Sequence, residues 1–326
     1  MQESLVARLV DPTGGAALRL EDAQRSEGRV VSGRLVSETN GKSYPIVDGV
    51  PRFVEGATYA DSFGMQWNRF REVQIDSATG QRDSERRFDT ETRWTAADLE
   101  GRSVLDVGCG AGRFAEVAAA RGAALVAVDY TSAVDAAKRT VAKYPNAEVV
   151  QASVFALPFR PGSFDFAYCI GVIQHTPDPK AAVANVIRMV RPGGKFSFAI
   201  YARRPWTKLN AKYLLRPLTK RLPQQTLLRA IEAAMPVLFP VTDRLFRVPV
   251  LGRVAQFAIP VATYVDRDEF TREQRYREAI LDTFDMLAPA YDLPMTAEEV
   301  EEVFRAEGVR RWSFTSRVPI VVTGER

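Results

Sequence analysis

Three ionisable side chains stand at spacings that could do chemistry. Asp106 lies two residues before Gly108, Gly110 and Gly112, three glycines at alternate positions in SVLDVGCGAGRF. Asp129 follows 23 residues later, at the end of the apolar run ALVAVD. His175, the only histidine among 326 residues, sits in QHTPDP after another apolar run. Alternate glycines let a backbone turn sharply and come within contact distance of a ligand. The first N–H groups of a helix behind such a turn face the same ligand. A dinucleotide turn would read G-x-G-x-x-G, and here Arg113 takes the last position. A carboxylate beside the turn repels a pyrophosphate and helps to hold a cationic or amino-bearing group. An acid closing a second strand can accept from both hydroxyls of a ribose, or it can cap the helix behind it, expected at 132–144. A neutral imidazole at His175 can take the proton of a hydroxyl, or it can order its loop through a hydrogen bond.

Elements must bring these groups together. Apolar runs at 103–107, 124–129, 148–153, 163–170 and 195–201 alternate with helical patterns, which predicts an α/β, doubly wound, Rossmann-like parallel sheet with helices on both faces. Ligands on such sheets bind at the carboxyl ends of the strands. Asp106, Asp129, Ser153 and Ile170 all fall at those ends. RPGG at 191–194 reads as a turn. Thr296 with Glu299 three residues on predicts a capping box. Two β runs, 310–316 and 318–323, close the chain as a hairpin.

The flanks divide the chain further. Residues 1–56 read as a small β-rich unit with short runs at 29–31, 34–36 and 44–47. Residues 57–100 carry Phe63, Trp67 and Phe70 on one helical face. That face is either packed core or a lid that places Gln66 or Trp67 against a ligand. Arg82, Arg86 and Arg87 follow; they are a solvated face, or one of them, Arg87 being our choice, pairs with a ligand carboxylate. Residues 202–280 form a proline-broken helical insertion. From Tyr201 to Pro260 there are eleven Lys/Arg against two acids, while the whole chain is only +4.

VLDVGCGAGRF, VAVDY, LPFRPGSFDFAYCIGVIQHTPDP and VRPGGKF, in this order, resemble the class I S-adenosylmethionine (SAM)-dependent methyltransferases, in the broad group that includes quinone-biosynthesis enzymes. The likeness implies a seven-stranded sheet with its last strand antiparallel, a core of 101–201 and 281–326, and the insertion between strands five and six. It implies SAM as cofactor. Asp106, Gly108, Cys109, Gly110 and Gly112 would hold its methionine end, Asp129 and Tyr130 the ribose, Ser153 and Val154 the adenine, and Ile170 the methionine again. The family usually has an aspartate where Ser153 stands. DTFD and AP.YD resemble acceptor-side segments, so Asp282, Asp285, Tyr291 and Asp292 either order their loops or, Asp285 and Tyr291 being our choice, join Trp67 as acceptor contacts. LVDPTGG and YPIVDGVPRF resemble the ends of a zinc ribbon. The two ligand pairs would fall on Asp11 and Gly14 and on Ser37 and Asn40, so no thiolate remains and no metal is expected.

Two cysteines cannot build a disulfide framework. No window approaches a spanning helix, and a cytoplasmic protein, alternatively peripheral to a membrane, is the expectation. Taken together, the readings predict methyl transfer to a small-molecule or lipid-like acceptor at O, N or C beneath a helical cap. The basic stretch 202–260 offers an anionic membrane surface as a second partner. RNA methylation or nucleic-acid binding is less favoured, and a catalytically silent SAM-binding scaffold is the other alternative.

Overall fold

The computed structural model describes residues 1–267 and 270–326. It divides into two compact units, Met1–Ala202 with Tyr291–Arg326, and Arg203–Ala290.

The first unit opens with an antiparallel sheet of β1 (Leu18–Ser26), β2 (Arg29–Ser37), β3 (Ser43–Val47) and β4 (Val50–Pro51), in that order. The expected short runs at 29–31 and 34–36 are one strand. Gly33 carries it through at φ +147°, opposite an irregular stretch of β1, where a Cβ would come within 3.0 Å of the Glu21 carbonyl. Asp11 and Asn40 meet here. Asn40 Nδ2 donates to Asp11 Oδ2 at 2.8 Å, and Oδ1 of the buried Asp11 accepts from Thr13 and from the Tyr44 hydroxyl. Burial would raise this carboxyl, but the bonds from Thr13, Ser37 and Tyr44 outweigh it and hold its pKa far below the usual range. The carboxylate's acceptor capacity is thus spent within the protein.

The connecting segment forms α1 (Asp61–Arg69), α2 (Asp76–Thr79), α3 (Asp83–Thr92) and α4 (Ala96–Leu99). Next come β5 (Ser103–Val107), α5 (Arg113–Ala120), β6 (Ala124–Asp129), α6 (Ala133–Val141), β7 (Ala147–Gln151), β8 (Phe164–Ile170), α7 (Pro179–Met189) and β9 (Val190–Ile200). RPGG lies inside β9 rather than in a turn. A Cβ at Gly194 would stand 2.6 Å from the Asp165 carbonyl, so a residue without a side chain lets the strand pass that point. The second unit holds α8 (Ala211–Thr219), α9 (Gln224–Leu245), α10 (Leu251–Ala258) and α11 (Arg272–Leu287). It runs to Ala290 rather than to 280, because α11 is continuous through Asp285. The first unit resumes with α12 (Ala297–Ala306), β10 (Arg311–Arg317) and β11 (Ile320–Glu325), and Thr296 caps α12 through the expected box with Glu299.

The large sheet has the order β10-β11-β9-β8-β5-β6-β7. Neighbours from β9 to β7 are parallel, and β11 is antiparallel to both β9 and β10. Side chains alternate across it. Leu105, Val107, Val126 and Val128 enter one core layer, which also takes Leu9, Leu18, Val30 and Leu35 from the N-terminal unit. Val104, Leu125, Ala127 and Tyr168 enter the other, with Phe88, Trp94 and Phe114 from the helices. Asp106, paired in register with Tyr168 and Ala127, shares the parity of Val104 and so carries a carboxyl into this second apolar layer.

Candidate ligand site

The turn behind β5 is tied to its neighbouring strand. Gly108 and Cys109 both donate their N–H to the Val128 carbonyl, at 2.7 and 3.0 Å. Gly110 N–H donates to Asp129 Oδ2 at 2.9 Å, while Asp129 Oδ1 accepts from the Thr131 N–H and hydroxyl. Asp129 does not cap α6, whose N-cap position is Ser132 with no side-chain bond; it orders the turn instead, and a carboxylate has lone pairs for more donors. Burial raises its pKa, opposed by the bonds from Thr131 and Gly110. Gly108, Gly110 and Gly112 all have positive φ. A Cβ at Gly108 would strike Val172 at 2.5 Å, and one at Gly110 would touch Trp67 Nε1 at 3.0 Å. Behind them α5 starts without a side-chain cap, so its first N–H groups face the turn.

Asp106 is the least settled group. It is 2% exposed, and its Oδ2 has no hydrogen-bond partner within the protein. The Tyr168 hydroxyl stands beside it without completing a well-formed bond, though close enough to favour the carboxylate. Burial pushes the Asp106 pKa up to about 8; Tyr168 lowers it and the nearby Asp129 raises it. A buried carboxyl oxygen with nothing to bond costs roughly 1–3 kcal/mol. A cationic donor would remove that cost.

The segment α1 supplies the other side. Trp67 packs against Ile75, Ala111 and Ala136, next to Gly110. Phe63, one helical turn earlier, lies 5.0 Å from the His175 ring. Gln66 is on the same face, 1% exposed, and neither its amide nitrogen nor its oxygen has a partner. Tyr59 stacks near Tyr130 at 5.1 Å and Tyr291 at 5.3 Å. His175 Nδ1 lies 3.1 Å from the Tyr291 carbonyl, and its ring is 5.6 Å from Tyr201. In a neutral ring an Nδ1–H donating to that carbonyl makes Nε2 the basic nitrogen. Arg87 pairs with Glu91 at 2.8 Å and keeps its guanidinium against Gly171, just past Ile170. Arg82 and Arg86 instead pair with Glu85 and Asp83 on their own helix.

Ser153 turns its hydroxyl to the Phe155 N–H at 3.2 Å, and Val154 is buried just beyond it. Cys109 and Ile170 are buried at the ends of β5 and β8. Asp285 lies on α11 in the second unit. Residues that the sequence reading did not single out are Tyr59, Thr131, Tyr168, Val172 and Tyr201. The spacing of Tyr59 from Phe63, one turn along the aromatic stripe, was the available signal. Tyr168 shows only through its register with Asp106, which needs the sheet.

Residues 105–198 match the methyltransferase domain family. Among curated relatives, the ubiquinone biosynthesis O-methyltransferase of Azotobacter vinelandii is 38% identical over 129 residues, covering 37% of this chain and 56% of that protein. Its counterpart from Thiobacillus denitrificans is 36% identical over 140 residues, 41% of this chain and 60% of that one. The chain thus spans little more than half the length of these relatives. Among solved structures, a putative methyltransferase from Bacillus halodurans aligns at 15% identity over 72% of each chain with a TM-score of 0.39. The matched segment contains the glycine turn, both strand-end acids and His175, on a sheet whose last strand is antiparallel, and with it this chain carries a class I SAM-dependent methyltransferase domain.

Proposed function

We propose that the chain transfers the methyl group of SAM to a small-molecule or lipid-like acceptor, at oxygen, nitrogen or carbon. The observation that carries this reading is the pair of buried, unpartnered polar groups beside the glycine turn, Asp106 Oδ2 and the Gln66 amide. A ligand with an ammonium, a carboxylate and ribose hydroxyls matches what stands there. Asp106 receives the ammonium, Arg87 the carboxylate, and Asp129 the ribose hydroxyls while it keeps the Gly110 N–H. Gln66 adds a donor and an acceptor. Tyr130, Ser153 and Val154 border the base, and Cys109 and Ile170 the methionine chain.

When bound, SAM supplies an electrophilic methyl on a sulfonium centre. The protein's share is alignment, since in-line displacement gains most from proximity. Phe63 and Trp67 keep water from the turn. His175 takes the acceptor's proton at Nε2, with the ring held by the Tyr291 carbonyl. Tyr59, Tyr201 and Tyr291 give the acceptor side an aromatic wall, which suits a ring or a lipid-like tail. The named activity of the two curated relatives, O-methylation in ubiquinone biosynthesis, supports a hydroxyl on such an acceptor.

Calorimetry tests the cofactor. SAM binds the wild type, and Asp129→Ala weakens it by about 100-fold, since charge-assisted bonds and the ordering of Gly110 go together. No heat of binding in the wild type ends the proposal. Incubation with methyl-labelled SAM and cell extract tests the acceptor: label enters the lipid or small-molecule fraction, and label confined to RNA or protein refutes the acceptor class.

A further inference from the structure

We infer that the helical unit 203–290 docks on an anionic lipid bilayer through the outer faces of α8, α9 and α10. Of the 17 large apolar residues that stand exposed among the described residues, 13 lie between Trp206 and Val254. Their placement is periodic. The inner face of α9 buries Leu227, Ile231, Met235 and Phe239, which pack toward α11. The opposite face, at Ala230, Ala234, Val237 and Val241, ought to be polar on a surface helix. Here it is apolar, with Val237 71% exposed, and Glu232 is the single charge from Ala230 to Val241. Leu214 and Leu218 repeat the pattern on α8 at a four-residue spacing, and Leu251 and Val254 on α10 at three. Three helices thus each keep an apolar stripe in water.

The charges name the partner. Lys220 and Arg221 follow α8, Arg244 lies in the last turn of α9 with Arg247 just past it, and Arg253 lies on α10; all five are exposed. No acidic side chain is exposed between Tyr201 and Pro260: Glu232 and Asp243 are half-buried, and Asp243 pairs with Arg275 at 3.3 Å. A second copy on this face would set cations against cations. A nucleic acid would use the cations and leave the valines and leucines wet. A bilayer with anionic headgroups uses both, with apolar side chains at the acyl boundary and Lys/Arg at the phosphates. Among the described residues no helix is long and apolar enough to cross a membrane, so the contact is with the surface.

Co-sedimentation of the full chain with vesicles tests this. Binding to phosphatidylcholine–phosphatidylglycerol vesicles should exceed binding to phosphatidylcholine alone by about tenfold and fall as salt rises. The double change Val237→Asp with Val241→Asp alters side chains already in water, so circular dichroism and melting stay as in the wild type while vesicle binding drops by about tenfold or more. Lys220→Glu with Arg221→Glu should weaken binding to the anionic vesicles selectively. The inference fails if the wild type does not pellet with anionic vesicles. It also fails if the aspartate pair binds them like the wild type. Self-association in sedimentation velocity that the aspartate pair abolishes, without vesicle binding, would assign the face to a second copy instead.

Discussion

Asp106 sets the residue-scale chemistry. Its folded pKa, raised to about 8 by burial, lies well above the value of about 4 it has in an unfolded chain. Between those values the folded state holds a proton that the unfolded state has lost, so the free protein loses stability as pH rises through that window. Asp106→Asn removes the titration. The free variant should therefore melt higher than the wild type at pH 8, with a gap that narrows toward pH 5; calorimetry of both across that range checks it, and a gap independent of pH speaks against it. Ligand binding runs the other way. An ammonium beside Asp106 favours the carboxylate, so SAM binding below pH 8 should release close to one proton from the wild type and none from Asp106→Asn. Binding heats in two buffers of different ionisation enthalpy give that number directly. The affinity of the wild type should accordingly rise from pH 6 to pH 8. The same substitution then gains stability and loses ligand, as expected of a buried acid kept for binding.

At the scale of elements, α1 makes the glycine turn a closed site. It packs on α6 because Gly64 has no side chain there; a Cβ would fall 2.5 Å from Ser132 Oγ. That approach brings Trp67 onto Gly110 and buries Gln66 with both amide atoms unpartnered. Gln66→Leu should leave the free protein as stable or slightly more so, since it removes an unpaired buried amide, and should weaken SAM by about tenfold, the worth of roughly one good hydrogen bond. Unchanged affinity in Gln66→Leu would make α1 a structural cover only. How much of this the sequence discloses follows from the range of the interactions. The aromatic period revealed α1, and the alternation of apolar runs with glycine and acid revealed β5 to β9, because both signals are local. Strand β1 did not show, since its outward residues Glu21, Asp22, Gln24 and Arg25 dilute the apolar alternation. The pairings of Asp106 with Tyr168 and of Tyr59 with Tyr291 join residues far apart in the chain; the sheet order brings the first pair together and the packing of two loops the second.

At the scale of the molecule, the N-terminal unit shares the domain's core. Leu9, Leu18, Val30 and Leu35 are buried in the same layer as Leu105, Val107 and Val128 of the large sheet. Backbone stitches join the two as well: Val10 N–H donates to the Pro158 carbonyl at 2.9 Å and Phe53 N–H to the Gln151 carbonyl at 2.8 Å. Arg52 reaches Asp135 on α6 at 2.6 Å and the Gln151 side chain at 3.0 Å. Arg52 and Phe53 run beside β7, the end strand of the sheet, whose open edge would otherwise invite unwanted pairing. They also flank Ser153 and Val154, which leave β7 toward the proposed adenine position. The N-terminal unit thus serves as an edge cover, with the Asp11–Asn40–Tyr44 bonds holding its loops. Leu9→Ala, at a side chain 1% exposed, should cost about 2–4 kcal/mol. If the core is shared, that loss lowers the melting of the whole first unit, and SAM binding, near-ultraviolet dichroism of the aromatic side chains and far-ultraviolet dichroism should decay together at the lower temperature. An independent module predicts something else: an early transition limited to β-sheet signal, with SAM still bound above it. Melting Leu9→Ala with all three readouts separates the two outcomes, because only a shared core lets a cavity at Leu9 reach the site proposed at Asp106 and Asp129.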